Sequence, residues 1–113
     1  MNMDSDKIIK EINGTLEQLS KDSPEQTRAF MSLMGAVEKE GALPGKTKEL
    51  IAISLSVVQK CEYCIVFHVK NALDAGCTEE EILEATWVAV LMGGGPALMY
   101  GQKVMQALKD FKK

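Results

Sequence analysis

The breaks in this chain constrain it most. Ser23-Pro24, Leu43-Pro-Gly45, Gly76 and Gly93-Gly-Gly-Pro96 interrupt the sequence, and between them apolar residues return at helical spacing. No stretch alternates apolar and polar residues as a half-buried strand does. Internal repeats and low-complexity stretches are absent. The pattern predicts an all-α bundle of about six helices, and a length of 113 residues fits a single domain over residues 1–113.

The first segment runs from about Asp6 to Lys21, with Ile8, Ile12, Leu16 and Leu19 on one face and Gly14 weakening it slightly. Ser23 as N-cap and Pro24 at the first helical position open a second helix, which carries Phe30, Leu33, Met34 and Val37 and ends at Gly41. The third, Lys46 to about Gln59, is apolar around most of its circumference and should be central; its Val57-Val58 pair reads as strand only out of context. The fourth runs from about Cys61 to Ala75 and stops at Gly76. Thr78, with Glu81 three residues on, makes a capping box for a fifth helix reaching about Met92. A sixth covers roughly Ala97 to Phe111, with Val104, Met105, Leu108 and Phe111 facing inward.

Composition removes several function classes. Hydrophobic residues make up 46% and charged residues 26%, the balance of a globular chain rather than a disordered one. Net charge is −3, with no basic stripe and few aromatics, which argues against nucleic-acid binding. No apolar run approaches the roughly 20 residues that span a bilayer, and Met1 to Lys7 holds no apolar signal core, so a cytoplasmic protein is expected. Several segments are too apolar for an isolated monomer, which points to a homo-oligomer.

Chemistry concentrates in Cys61-Glu-Tyr-Cys64-Ile-Val-Phe-His68, which holds two of the three cysteines and the one histidine. At about 100° per residue, Cys64 lies roughly −60° and His68 roughly −20° from Cys61, so all three share a narrow arc. One helical turn also supplies the roughly 4.4–6.8 Å between Cα atoms that a disulfide needs. Three cysteines are too few for a secreted disulfide scaffold, and in a reducing cytosol a close pair is more often catalytic or metal-binding. Cys61 should sit near the helix start, where unpaired N–H groups favour a thiolate, and His68 can take a proton from Cys64. Either cysteine can attack while the other resolves. The joint geometry favours this redox reading over three core fillers. Zinc, with Cys77 or Glu49 as fourth ligand, is disfavoured because three ligands on one helix face make an awkward half of a tetrahedron. A thioredoxin fold lacks its strands here.

Glu49, followed twelve positions later by Cys61-x-x-Cys64-x-x-x-His68, resembles the alkylhydroperoxidase D-like branch of the carboxymuconolactone decarboxylase superfamily. Lys48-Glu-Leu-Ile-Ala-Ile-Ser54, His68-Val-Lys-Asn-Ala-Leu-Asp-Ala-Gly76, Thr78-Glu-Glu-Glu-Ile-Leu83 and Gly93-Gly-Gly-Pro-Ala97 extend the likeness over about Phe30 to Leu108. The resemblance implies an all-helical fold, trimers or hexamers, and a dithiol peroxidase or disulfide reductase without haem or flavin; no cofactor or metal is expected. It implies that Glu49 and His68 form a proton relay to a redox pair, Cys61 and Cys64. A hydroperoxide or disulfide would be the substrate and a dithiol the electron donor. Tyr63 stands where the best-studied branch often has a second histidine; it can donate a hydrogen bond but is a poor base near neutral pH. The lactone decarboxylase branch generally lacks the cysteine pair, so decarboxylation is the weaker reading, alongside a non-catalytic structural or zinc-binding module.

Other residues carry blander expectations. From spacing alone Glu49 reads as a surface or helix-start charge, and only the resemblance makes it part of a site. Glu62 reads as a solvated first-turn charge, Cys77 as a small buried thiol, and Trp87 as core or subunit interface. Tyr63 reads as a pocket wall or an interface residue. Gly93-Gly-Gly-Pro96 reads as close helix packing, and Lys109 to Lys113 as a basic end that suits a helix C-terminus.

Overall fold

The computed structural model describes residues 4–112; Met1 to Met3 and Lys113, on which the readings of the two chain ends partly rest, lie outside them. Six helices follow one another: α1 (Asp4–Asp22), α2 (Pro24–Glu38), α3 (Gly45–Val58), α4 (Glu62–Asp74), α5 (Glu79–Gly93) and α6 (Gly95–Phe111). Among the described residues there is no strand. The all-α architecture is the one that the periodicity predicts.

The core forms where α3, α4, α5 and α6 pack together. Ile53 and Val57 of α3, Ile65 and Val69 of α4, Ile82 of α5 and Val104 of α6 are fully buried and fill it. Small side chains at Ala72, Ala89, Ala97 and Ala107 let the helices approach closely. The α5–α6 junction shows the same tactic. Gly94 turns the chain at φ +73, and a Cβ at Gly93 would come within 2.8 Å of the Ala97 Cβ.

The helix ends have local causes. Thr78 and Glu81 form the expected reciprocal box at the start of α5, with Glu81 N–H on Thr78 Oγ1 at 3.1 Å and Thr78 N–H on Glu81 Oε1 at 2.9 Å. Ser23 holds the N-cap position of α2, but its hydroxyl makes no capping bond; Pro24 sets the turn. That helix ends at Glu38, short of Gly41, and Lys48 donates to Val37 O and Lys39 O at 2.7 and 2.6 Å, satisfying carbonyls at its frayed end. Helix α6 begins at Gly95, two residues earlier than expected, because Pro96 is tolerated in a first turn.

Burial departs from the periodicity in three places. Met105 is 60% exposed rather than inward, because the buried face of α6 runs through Ala97, Gly101, Val104, Ala107 and Leu108. Helix α3 is buried on one side only: Ile51 and Leu55 are exposed. Helix α2 buries none of its residues, and Phe30, Leu33 and Val37 stand open. It rests mainly on α1, with which it forms a helical hairpin laid over the start of α4.

Candidate active site

The site is built at the junction of α3 and α4. Helix α3 closes with Lys60 N–H on Val57 O and Cys61 N–H on Ser56 O, both at 3.1 Å. This is a Schellman ending, and it puts Lys60 at φ +59, a left-handed conformation that glycine normally takes. The chain then re-enters a helix at once. Cys61 therefore terminates α3 and serves as N-cap of α4, with its Sγ accepting the Cys64 N–H at 3.2 Å.

Cys61 and Cys64 are joined as a disulfide, with 5.3 Å between their Cα atoms. His68 follows one turn after Cys64. Its Nδ1 lies 2.8 Å from Glu49 Oε1, and the Glu49 side chain is 11% accessible and that of His68 22%. With Nδ1 paired to the carboxylate, Nε2 is the nitrogen left free to exchange a proton. The Phe67 ring meets the imidazole edge-on, centroids 5.1 Å apart, and limits its rotation.

A cleft of about 300 Å³ opens beside these groups. Tyr63, Cys64, Phe67 and His68 of α4 form its base. Ile12, Thr15 and Leu16 of α1 and Phe30 and Met34 of α2 complete it. Cys64 lines the cleft and Cys61 does not. The Tyr63 hydroxyl donates to Glu11 Oε1 at 2.5 Å, tying α4 to α1. That bond to Glu11, with the carboxylate's charge, holds the Tyr63 phenol above its ordinary value.

The four residues singled out from the sequence thus gather in one place. Glu49 comes from α3, so its approach to His68 depends on how two helices cross. Tyr63 lies on the cleft. Cys77 stands apart: it is buried, its Sγ lies 3.7 Å from Lys46 O, and burial, then the charge of Glu81, pushes its thiol up. Among the described residues no group of three or more His, Cys, Asp or Glu side chains converges to hold a metal ion. Sequence reasoning placed Phe30 and Met34 on the second helix without giving them a part in the site, and gave Glu11 none either. Ile12 with Leu16 and Phe30 with Met34, each pair four residues apart, were the available signal for a second apolar surface.

Known proteins resemble most of this chain. The model of the carboxymuconolactone decarboxylase family matches residues 24–107. A crystal structure of an apo carboxymuconolactone decarboxylase family protein from Legionella pneumophila superposes with a TM-score of 0.95 at 42% identity, over 99% of this chain and 100% of that one. An uncharacterized protein of Cupriavidus necator is 36% identical over 93% of each chain. The alkyl hydroperoxide reductase AhpD of Mycobacteroides abscessus is 37% identical over 54 residues, 45% of this chain and 31% of that protein.

Proposed function

Because the chain belongs to the carboxymuconolactone decarboxylase family, we propose that it is a thiol-dependent peroxidase or disulfide oxidoreductase of the alkylhydroperoxidase D-like type. One observation carries this reading. A sulfur on an open cleft, Cys64, has a partner sulfur within bonding reach. The same cleft is lined by a histidine one turn on, His68, whose Nδ1 is paired with a nearly buried carboxylate.

In the reduced protein His68 Nε2 takes the Cys64 proton, and Glu49 steadies the resulting imidazolium through Nδ1–H. The Cys64 thiolate attacks the hydroperoxide: an S–O bond forms, the O–O bond breaks, and the leaving alkoxide takes the proton back from His68. The products are Cys64 sulfenic acid and an alcohol. Cys61, whose thiolate is favoured at the N-cap by the Cys64 N–H, displaces water and closes the disulfide. An external dithiol then restores both thiols by exchange and leaves as its own disulfide. A disulfide substrate would enter at the same sulfur by the reverse exchange.

The sequence of events is tested with single variants. Cys61→Ser exposed to hydroperoxide should accumulate a sulfenic acid at Cys64 that dimedone traps, whereas Cys64→Ser should trap nothing and turn over nothing. Trapping at Cys61 instead would reverse the roles. Lactone decarboxylation, the rival activity, needs neither sulfur and would survive both changes.

The same reading includes a homo-oligomer, a trimer or hexamer, in a reducing compartment such as the cytoplasm. Support comes from Leu91 at 80%, Met92 at 77% and Trp87 at 63% exposure, a surface apolar enough to be covered by copies of the chain. Among the described residues no helix is long and apolar enough to cross a membrane.

A further inference from the structure

Glu49 is the fifth residue of α3, so its place opposite His68 depends on the helical turn before it. That turn, residues 45–48, buries none of its members, and the fully buried side chains of α3, Ile53 and Val57, come after Glu49. A first turn without a buried anchor frays, because its N–H groups have no partner inside the helix. Here side-chain bonds from the neighbouring elements hold it. Glu40 accepts the Gly45 N–H at 2.8 Å and sits so close that a Cβ on Gly45 would come within 2.9 Å of Glu40 Oε2. The Lys48 ammonium donates to Val37 O and Lys39 O at the end of α2. The Lys46 ammonium lies 3.3 Å from Glu81 Oε1, an oxygen that also accepts the Thr78 N–H of the α5 capping box. Cys77, which has no part in the redox pair, donates its thiol to Lys46 O from the loop before α5.

We propose that Lys46 and Lys48 are positioning residues of the proton relay: by tying the first turn of α3 to α5 and to the end of α2, they hold the Glu49 carboxylate at His68 Nδ1. The inference rests on the relay described above and deepens it. Both lysines act through Glu49. The Lys46 tie is half-exposed and Lys48 lies on an exposed edge, so each is weak by itself and they work together. A carboxylate that strays from Nδ1 no longer fixes the tautomer of the ring.

His68 is the one histidine, so the imidazole nitrogens of this chain report on it alone. Nitrogen NMR of the reduced full-length chain, at a pH where the ring is neutral, should show the Nδ1–H tautomer. Lys46→Met with Lys48→Met keeps the apolar stems and removes both ties. It should move the ring toward the Nε2–H tautomer and slow oxidation by hydroperoxide toward the roughly tenfold loss of Glu49→Gln. Each single variant should do the same to a smaller degree, and Lys46→Arg, which keeps a cation for Glu81, should keep the native tautomer. In the Glu49→Gln background the lysine changes should cost nothing further. Lys70→Met, which breaks an ion pair within α4, should alter neither readout. A native tautomer in all three methionine variants, an equal slowing in the Glu49→Gln background, or a change in Lys70→Met as large as that of the double variant overturns the proposal. A tautomer shift in the variants of a chain that no hydroperoxide oxidises sinks the peroxidase reading and keeps the lysines' positioning role.

Discussion

His68 Nδ1 meets Glu49 Oε1 at 2.8 Å, and the contact pins the start of α3 to the second turn of α4. Everything proposed for the sulfurs depends on it. A carboxylate that accepts Nδ1–H fixes the tautomer, so the nitrogen available to Cys64 is basic. It also places a negative charge behind the imidazolium that forms when the thiol gives up its proton.

The pair should therefore be separable by kinetics. His68→Ala is expected to slow thiol oxidation by hydroperoxide on the order of 10²–10⁴-fold at neutral pH. Glu49→Gln removes the charge and is expected to cost roughly tenfold or more, and the double variant should fall little below His68→Ala, since the two act as one unit. Stopped-flow oxidation of the reduced variants measures this. Losses that multiply in the double variant would mean that the two act independently.

Lys60 is a stability lever outside the chemistry. Its left-handed backbone at φ +59 carries a steric cost that glycine does not have. Lys60→Gly should stabilise the chain by about 0.5–1 kcal/mol once the greater freedom of the unfolded glycine is deducted. Lys60→Val should do the opposite. Thermal unfolding of the reduced and oxidised protein checks both, and a lower Tm for the glycine variant would contradict the Schellman account.

Acid should weaken the fold through carboxylates that the folded state holds ionised. The Thr78 backbone N–H, then Lys46, keep Glu81 below its ordinary 4.5. At Asp110 burial pushes upward, but hydrogen bonds from Ser5 and Gln106 outweigh it and leave the group below its ordinary 3.8. A folded-state value below the unfolded one means the unfolded chain binds more protons. The stabilisation is thus complete above pH 4.5 and is lost as pH falls through the lowered values. The Tm gap between the native chain and Glu81→Gln should narrow over that descent. A gap that widens would reverse the sign.

Assembly is open to a direct check. Size-exclusion chromatography with light scattering should give three or six chains per particle for the native protein. Leu91→Glu combined with Met92→Glu should shift the particle toward one chain by placing charge on the most exposed apolar surface. A native particle of one chain at micromolar concentration would contradict the oligomer.

What the sequence made legible were features written in neighbouring residues. Glycines and prolines marked the helix ends, Thr78 and Glu81 declared their box, and the spacing of Cys61, Cys64 and His68 on one helix face foretold a bridgeable pair. Contacts set by helix crossing were harder. Glu49 and His68 are 19 residues apart and Glu11 and Tyr63 are 52 apart, and no local rule pairs them. Periodicity alone read Glu49 as a surface charge; the family resemblance brought it to the site. The apolar faces of α2 and of Met105 misled for a different reason. A stripe predicts that a helix has an inward side, but not whether the same chain supplies the cover.

The central claim is that Cys61 and Cys64 cycle between dithiol and disulfide at the expense of a hydroperoxide. Counting thiols under denaturing conditions, before and after one equivalent of hydroperoxide is added to the reduced protein, tests it most directly. The account predicts a fall from three thiols per chain to one, Cys77, and full recovery with a dithiol reductant. A count that stays at three, or a loss that a dithiol does not restore, would contradict it.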